Sequence, residues 1–248
     1  MVCNLICGFR GSGKDELHKA QISGLKRANF CLTSIARLIH NMIYHTSHSI
    51  TDKLYSALIV LKVCKCPRYI VYSDLDHLMA NDADNPFLMR NFWRDAFADD
   101  VKALVCTYLG LAEAPTGTDK DSVQYTAPDG RIGTFRYFCI CIAEDARKME
   151  PTFWAKKVCR RAIHGLNYNY TDFRKMEELI EAIKTHDVVY TTRIYRSSVP
   201  IPPNTAISEH DLHNFKTDFL VLTSFLDFNA AVELYPQYKK FKLLSVLY

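Results

Sequence analysis

The residues with the clearest capacity for chemistry lie near the start of the chain, in Gly8-Phe9-Arg10-Gly11-Ser12-Gly13-Lys14-Asp15. The interval from Gly8 to Gly13-Lys14 is that of a phosphate-binding loop, G-x-x-x-x-G-K, with Asp15 where Ser or Thr is usual. Glycines at this spacing let consecutive backbone N–H groups turn inward around phosphate oxygens. A helix N-terminus adds positive potential, and Lys14 adds a point charge. Arg10 brings a second cation into the loop. A hydroxyl after the lysine normally ligates Mg²⁺; the Asp15 carboxylate can hold the ion directly or through water. The competing reading is a plain glycine-rich turn between a strand and a helix. The apolar run Val2-Cys3-Asn4-Leu5-Ile6-Cys7 directly before the loop, its place at the N-terminus and the extra cation favour nucleotide phosphate.

A loop of this kind works only if a strand delivers it and a helix leaves it, and residues 2–7 and 16–20 read as that strand and helix. Ile35, Leu38, Ile39, Met42 and Ile43, then Leu54, Leu58 and Leu61, recur at helical spacing and predict two helices. Phe30-Cys31-Leu32 reads as a strand or a helical continuation. Residues 69–72 read as a short strand, and 81–86 as a solvated loop lacking the glutamate and glycine of a calcium loop. From Asp99 or Asp100 a helix runs to a stop at Gly110, with Ala96-Phe97-Ala98 as its lead. Residues 112–133, with three glycines and two prolines, read as an exposed, mobile excursion. A helix over 134–142 is expected to break at 143–151, followed by helices over 152–163 and 173–184. Residues 187–192 give the best later strand signal. That strand carries Arg193 to the carboxyl edge, where ligands sit in open α/β sheets. The Asn169-Tyr170-Thr171 sequon is read as meaningless in an intracellular protein. Residues 207–210 and 218–222 suggest a late strand, and 230–247 a final helix or strand.

The chain has 248 residues, enough for one domain with an appended lid or subdomain. An apolar fraction of 48% and a charged fraction of 23% exclude a disordered chain. A net charge of +4 does not by itself indicate nucleic acid, but it suits small polyanionic ligands. No run reaches the roughly 18 apolar residues of a membrane span, and the first residues lack a secretory pattern. The expectation is a cytoplasmic protein without membrane or nucleic-acid partners. The nine cysteines read as reduced core thiols. The pairs Cys64/Cys66 and Cys139/Cys141 lack the partners that close a zinc site; on strands, each pair would point one way into a core. His40, His45 and His48 raise the same metal question at a helix end and loop.

Several stretches, in this order, resemble the deoxynucleoside monophosphate kinase family of bacteriophages and some larger DNA viruses. That family's loop commonly reads G-x-x-x-S-G-K-D, which matches Asp15. Phe97-Ala98-Asp99-Asp100-Val101-Lys102 is similar to its F-A-D-x-[LV]-K helix start. Arg136, Arg147 and Phe153-Trp154-Ala155-Lys156 resemble its R…R…W-[AV]-K block. Val188-Val189-Tyr190-Thr191-Thr192-Arg193 resembles its late strand, and Ser208-Glu209-His210 the segment after it. Two positions depart from the pattern. The family carries an acidic residue before the late arginine, where this chain has Thr191-Thr192, and its G-T-x-x-x-R element is here Ala143-Glu144-Asp145-Ala146-Arg147. Residues 33–86 show no match.

The resemblance implies an α/β fold of the P-loop NTPase type: three layers around a central, mostly parallel sheet, with a helical lid or substrate region. It implies one kinase domain over 1–248, with 112–133 as the mobile lid. The implied activity passes the γ-phosphoryl of ATP, with Mg²⁺, to a deoxynucleoside monophosphate. Lys14 and Arg10 would hold the ATP phosphates, the amides of Gly11, Ser12, Gly13, Lys14 and Asp15 would cradle the β-phosphate, and Asp15 would position Mg²⁺. Lys102, Arg136 and Arg147 would grip the acceptor, and Arg193 would stabilise the transferring group through its planar fork. Asp99 would orient the acceptor or the metal, and Phe97 would pack on the base. Trp154 is either a second aromatic of the acceptor site or a core residue. For a viral chain the compartment is the host cytoplasm, and a homodimer is left open. The alternatives are a small kinase of the phosphomevalonate type, whose loop also ends G-K-D, and a nucleotide-binding protein that has lost turnover.

Overall fold

Five of the six residues of Val2–Cys7 are buried, and they form strand β1. Its side chains are covered on both faces: Cys3, Leu5 and Cys7 join one apolar cluster and Ile6 another. Double-sided burial is the mark of a strand inside a parallel sheet. The computed structural model describes residues 1–23, 40, 43–44, 69–76, 86–89, 91–201 and 211–247. The readings at 30–32, 51–63, 81–85 and 207–210, most of the helix at 35–43, and Cys64, Cys66, His45 and His48 lie outside these residues.

The other strands are β2 (Tyr69–Ser73), β3 (Phe92–Asp95), the hairpin β4 (Gln124–Thr126) and β5 (Ile132–Thr134), β6 (Asn167–Tyr170), β7 (Val188–Tyr195), β8 (Phe219–Leu222) and β9 (Lys242–Leu247). Seven of them make one sheet in the order β3-β6-β1-β7-β8-β2-β9. The strands from β3 to β8 in that order pair in parallel, and β2 runs antiparallel to β8 and β9. The helices are α1 (Lys14–Ile22), α2 (Asp99–Leu109), α3 (Asp119–Ser122), α4 (Phe135–Met149), α5 (Phe153–Cys159), α6 (Met176–Thr185) and α7 (Asp227–Leu234). Ala155, Val158 and Ala182 of α5 and α6 pack on Leu5 and Tyr170. Leu17 and Ala20 of α1 pack on Ile6, Ile194 and Val221. Helices thus flank a mostly parallel central sheet, an arrangement compatible with a three-layer α/β fold. A separate apolar cluster joins α2, α4 and the hairpin through Val101, Val105, Ala127, Phe135 and Phe138. Among the described residues no helix is long and apolar enough to cross a membrane.

Helix α2 ends as expected at Gly110, whose φ of 68° supplies the left-handed cap. Helix α4 departs from expectation, running unbroken through 143–149. The Thr134 hydroxyl accepts the N–H of Tyr137 at its start, and the helix stops only at Glu150, because Pro151 disfavours helical geometry in the residue before it. Cys139 and Cys141 therefore lie two apart on a helix, where such residues do not face each other, and both are half-buried. The six described cysteines are free thiols. Strand β6 is the least foreseeable element, since Asn167-Tyr168-Asn169-Tyr170 is half polar. Its burial is tolerated because Asn167 accepts the N–H of Val2 at 2.9 Å and Asn169 donates to Gln21 at 2.8 Å. The excursion holds α3 and the β4–β5 hairpin. The tail resolves into a helix and a strand, α7 and β9. His40 is buried, its ring centroid 4.6 to 4.8 Å from those of Tyr44, Tyr72 and Phe228.

Strands β7 and β8 are further stitched by Asp218, whose Oδ2 accepts both the N–H and the hydroxyl of Thr191 at 2.8 Å. Asp218→Ala strips these acceptors from a part-buried amide, and the expected loss is about 2 kcal/mol. Urea unfolding checks it: the midpoint falls while the slope against denaturant stays unchanged.

Candidate functional site

The parallel strands all point their carboxyl ends to one edge, and the 8–15 loop leaves β1 there. Gly8, Gly11 and Gly13 have φ values of 148°, 82° and 96°, which L side chains rarely adopt. At Gly8 a Cβ would also stand 2.5 Å from the carbonyl oxygen of Ile194 on β7, so only glycine fits there. The Ser12 N–H donates to the Phe9 carbonyl at 3.1 Å. Lys14 opens α1 and folds its ammonium back across the loop, donating to the carbonyls of Gly8 at 2.7 Å and Phe9 at 3.1 Å. Gly13 offers α1 no side-chain cap, which leaves first-turn N–H groups to water or a ligand. The Ser12 hydroxyl is buried without a hydrogen-bond partner, a state that calls for an absent water or ligand atom.

Beside the loop runs a chain of ion pairs. Arg94, near the carboxyl end of β3, donates Nε to Asp15 at 2.9 Å and Nη1 to Asp99 at 2.6 Å; Lys102 reaches the other Asp99 oxygen at 2.6 Å. Thr171, just past β6, donates its hydroxyl to Asp15 at 2.8 Å. Asp172 accepts the N–H groups of Phe97 and Ala98, both at 2.7 Å, and so fixes the start of α2. Partial burial works against the charge on Asp15, but the hydrogen bonds from Arg94 and Thr171 outweigh it and hold the carboxyl below its ordinary value. Asp99 is likewise held low, burial being overcome by Lys102 and Arg94. Such exposed pairs contribute only about 0–1 kcal/mol each, so their consequence is positional. Asp15 and the Thr171 hydroxyl are hard oxygen donors beside the loop, the kind Mg²⁺ takes together with substrate phosphates.

A second group reaches the loop from the helical side. Asp121 in α3 pairs with Arg10 at 2.6 Å and with Arg136 on α4. Lys120 has no acidic partner among the described residues. Burial, then the charges of Lys102, Arg136 and Arg10, press its pKa downward. Four cations from the loop, α2, α3 and α4 therefore converge.

The remaining expected residues are not gathered at this edge by any described contact. Arg147 pairs with Glu144 one turn away on α4, at 2.7 Å. Phe97 is buried and stacked on Tyr170 at 5.1 Å, and Trp154 is buried with its Nε1 donating to the Ala143 carbonyl at 3.2 Å. Arg193 sits opposite Cys7 in the β1–β7 register and is only 3% exposed. Its guanidinium donates to the Tyr238 hydroxyl at 2.9 Å and to the carbonyls of Leu212 and Phe215, and lies 4.4 Å over the Tyr235 ring. The expectation of an arginine reaching phosphate thus meets one engaged by the protein itself, lining a small cavity with Cys7, Gly8, Phe9 and Arg174. Thr191 and Thr192, which replace the family's acidic position, spend their hydroxyls on Asp218 and Asn4.

Sequence reasoning missed Arg94, Thr171, Lys120 and Asp121. Reading 92–95 as a strand would have flagged Arg94 by the carboxyl-edge rule; for Lys120 and Asp121, inside an aperiodic segment, no sequence signal exists. No protein-family model matches this chain, and no curated protein matches it.

Because Asp15 and Asp99 are held below their unfolded values, the stability they contribute is present above about pH 4 and lost as pH falls through their folded values. Arg94→Met raises both toward the unfolded value, so the fall in unfolding free energy from pH 5 to pH 2 becomes shallower than in the wild type. Urea titrations across that range measure it.

Proposed function

We propose that this chain is a nucleoside monophosphate kinase, transferring the γ-phosphoryl of ATP to a deoxynucleoside monophosphate. The observation that carries the reading is the loop: three glycines at positive φ between the carboxyl end of β1 and the start of α1, with Lys14 folded across it. The converging cations on α2, α3 and α4 support a site for two polyanions rather than one.

An oxygen of the acceptor phosphate attacks the γ-phosphorus, the bond to the β–γ bridging oxygen breaks, and ADP leaves with that electron pair. The attacking oxygen is already anionic near neutral pH, so no base is required. The protein's task is charge neutralisation, alignment and exclusion of water. Lys14 exchanges the carbonyls of Gly8 and Phe9 for the ATP phosphates, and Arg10 joins it. The amides of residues 11–15 cradle the β-phosphate. Asp15, with Thr171 beside it, would hold Mg²⁺, which when bound adds charge neutralisation at the phosphates. Lys102 and Arg136 grip the acceptor, and Asp99 orients Lys102. Arg147 keeps its place in that grip on the resemblance alone. Phe97 and Trp154 act by holding α2 and α4, and Arg193 by bracing the strand beneath Gly8. A nucleotide-binding protein without turnover is the second reading. What favours it is the pair Thr191-Thr192, which leaves no carboxylate before Arg193.

A coupled assay with ATP, Mg²⁺ and each of the dNMPs, CMP and phosphomevalonate separates these readings. The expected result is turnover on a dNMP. Lys14→Ala should lower kcat by about 10²–10³-fold without moving the unfolding midpoint. ATP binding with no turnover on any acceptor would favour the second reading, and turnover on phosphomevalonate alone the other kinase type. An active Lys14→Ala protein would mean that the loop does not carry the transfer.

A further inference from the structure

Arg10 and Arg136, assigned above to donor and acceptor phosphates, meet on a single carboxylate. Arg10 Nη1 lies 2.6 Å from one oxygen of Asp121, and Arg136 Nε donates to the other. Two guanidiniums from different elements closing on one pair of oxygens is the geometry with which arginine takes a phosphate. Charge points the same way. Lys102 and Lys120 stand close enough for their charges to act on one another, Asp99 is committed to Arg94 and Lys102, and Asp121 is the carboxylate that joins Arg10 to Arg136.

Asp121 is also built to leave. It sits on α3, a four-residue helix with no buried residue, and its side chain is one-third exposed. The described contacts from the loop to the α3 region both belong to Arg10: the pair with Asp121 and a hydrogen bond from Nη2 to the Gly117 carbonyl at 3.4 Å. An anion that binds Arg10 more tightly removes both holds.

We propose that Asp121 is an internal anion that occupies the phosphate position between Arg10 and Arg136 and is displaced when a nucleoside triphosphate binds, so that the substrate itself unlatches the 112–133 excursion from the loop. The inference rests on the phosphate-loop reading and adds a competitor to it. A carboxylate that competes with phosphate weakens substrate binding, and an isosteric amide competes far less. Lys120, brought in by the same helix, stays behind to meet the incoming charge.

Titration calorimetry with ATP and, separately, with inorganic tripolyphosphate tests this on the full chain. Asp121→Asn is expected to bind both about fivefold more tightly than the wild type, the scale of one half-exposed ion pair, and Asp121→Glu, which keeps the charge, to bind as the wild type does. Lys14→Ala serves as the control for the loop. If the wild type binds, Lys14→Ala does not, and Asp121→Asn binds equally or more weakly, the internal anion is overturned while the phosphate-loop reading stands. If neither ligand binds the wild type or any variant, both fall.

Discussion

The approach of Gly8 to the carbonyl of Ile194 constrains everything at the carboxyl edge of the sheet. A Cβ there would lie 2.5 Å from that oxygen, so β1 can end against β7 only with glycine. Once the chain is that close, it must turn at positive φ to escape. The turn sets where α1 begins, hence where Lys14 and Asp15 emerge. The β1–β7 register does the rest, setting Cys7 against Arg193 and placing a buried cation under the loop.

Around this fixed point the protein uses arginine in two different ways. Arg193 is an interior group, its charge met by a tyrosine hydroxyl, backbone carbonyls and an aromatic face rather than by a carboxylate. An interior cation needs such partners because desolvation would otherwise dominate. Arg94, Arg10 and Arg136 are edge groups, each paired with a carboxylate that is itself partly exposed. Their pairs are individually weak and can be exchanged, which suits a site whose ligand must arrive and depart. Interior arginine gives rigidity beneath the loop, and edge arginines give a surface that reorganises when an anion arrives.

Legibility from the sequence followed local physics. The loop, the α2 stop at Gly110 and the β7 strand were readable because glycine spacing, a helical stripe and a β-branched run are local signals. The α4 helix was read correctly at its start and broken too early, because the charged run at 143–149 looked like an interruption when it is the solvated face of a continuing helix. Strands β3 and β6 escaped altogether. Phe92-Trp93-Arg94-Asp95 and Asn167-Tyr168-Asn169-Tyr170 have no apolar alternation of their own, and they are strands because a sheet edge and buried partners for Asn167 and Asn169 await them.

By itself, then, the amino-acid order determined the turn chemistry at 8–15 and the kinds of charge that could surround it, since φ preference and ionisation belong to individual residues. Which charges meet was decided only in three dimensions. Asp15 and Arg94 are 79 positions apart and Arg10 and Asp121 more than 100, yet each pair closes within 3 Å. Arg193, a plausible phosphate ligand on paper, is turned inward. Pairing over such separations depends on the order in which parallel strands assemble, and no local pattern in the chain encodes that order.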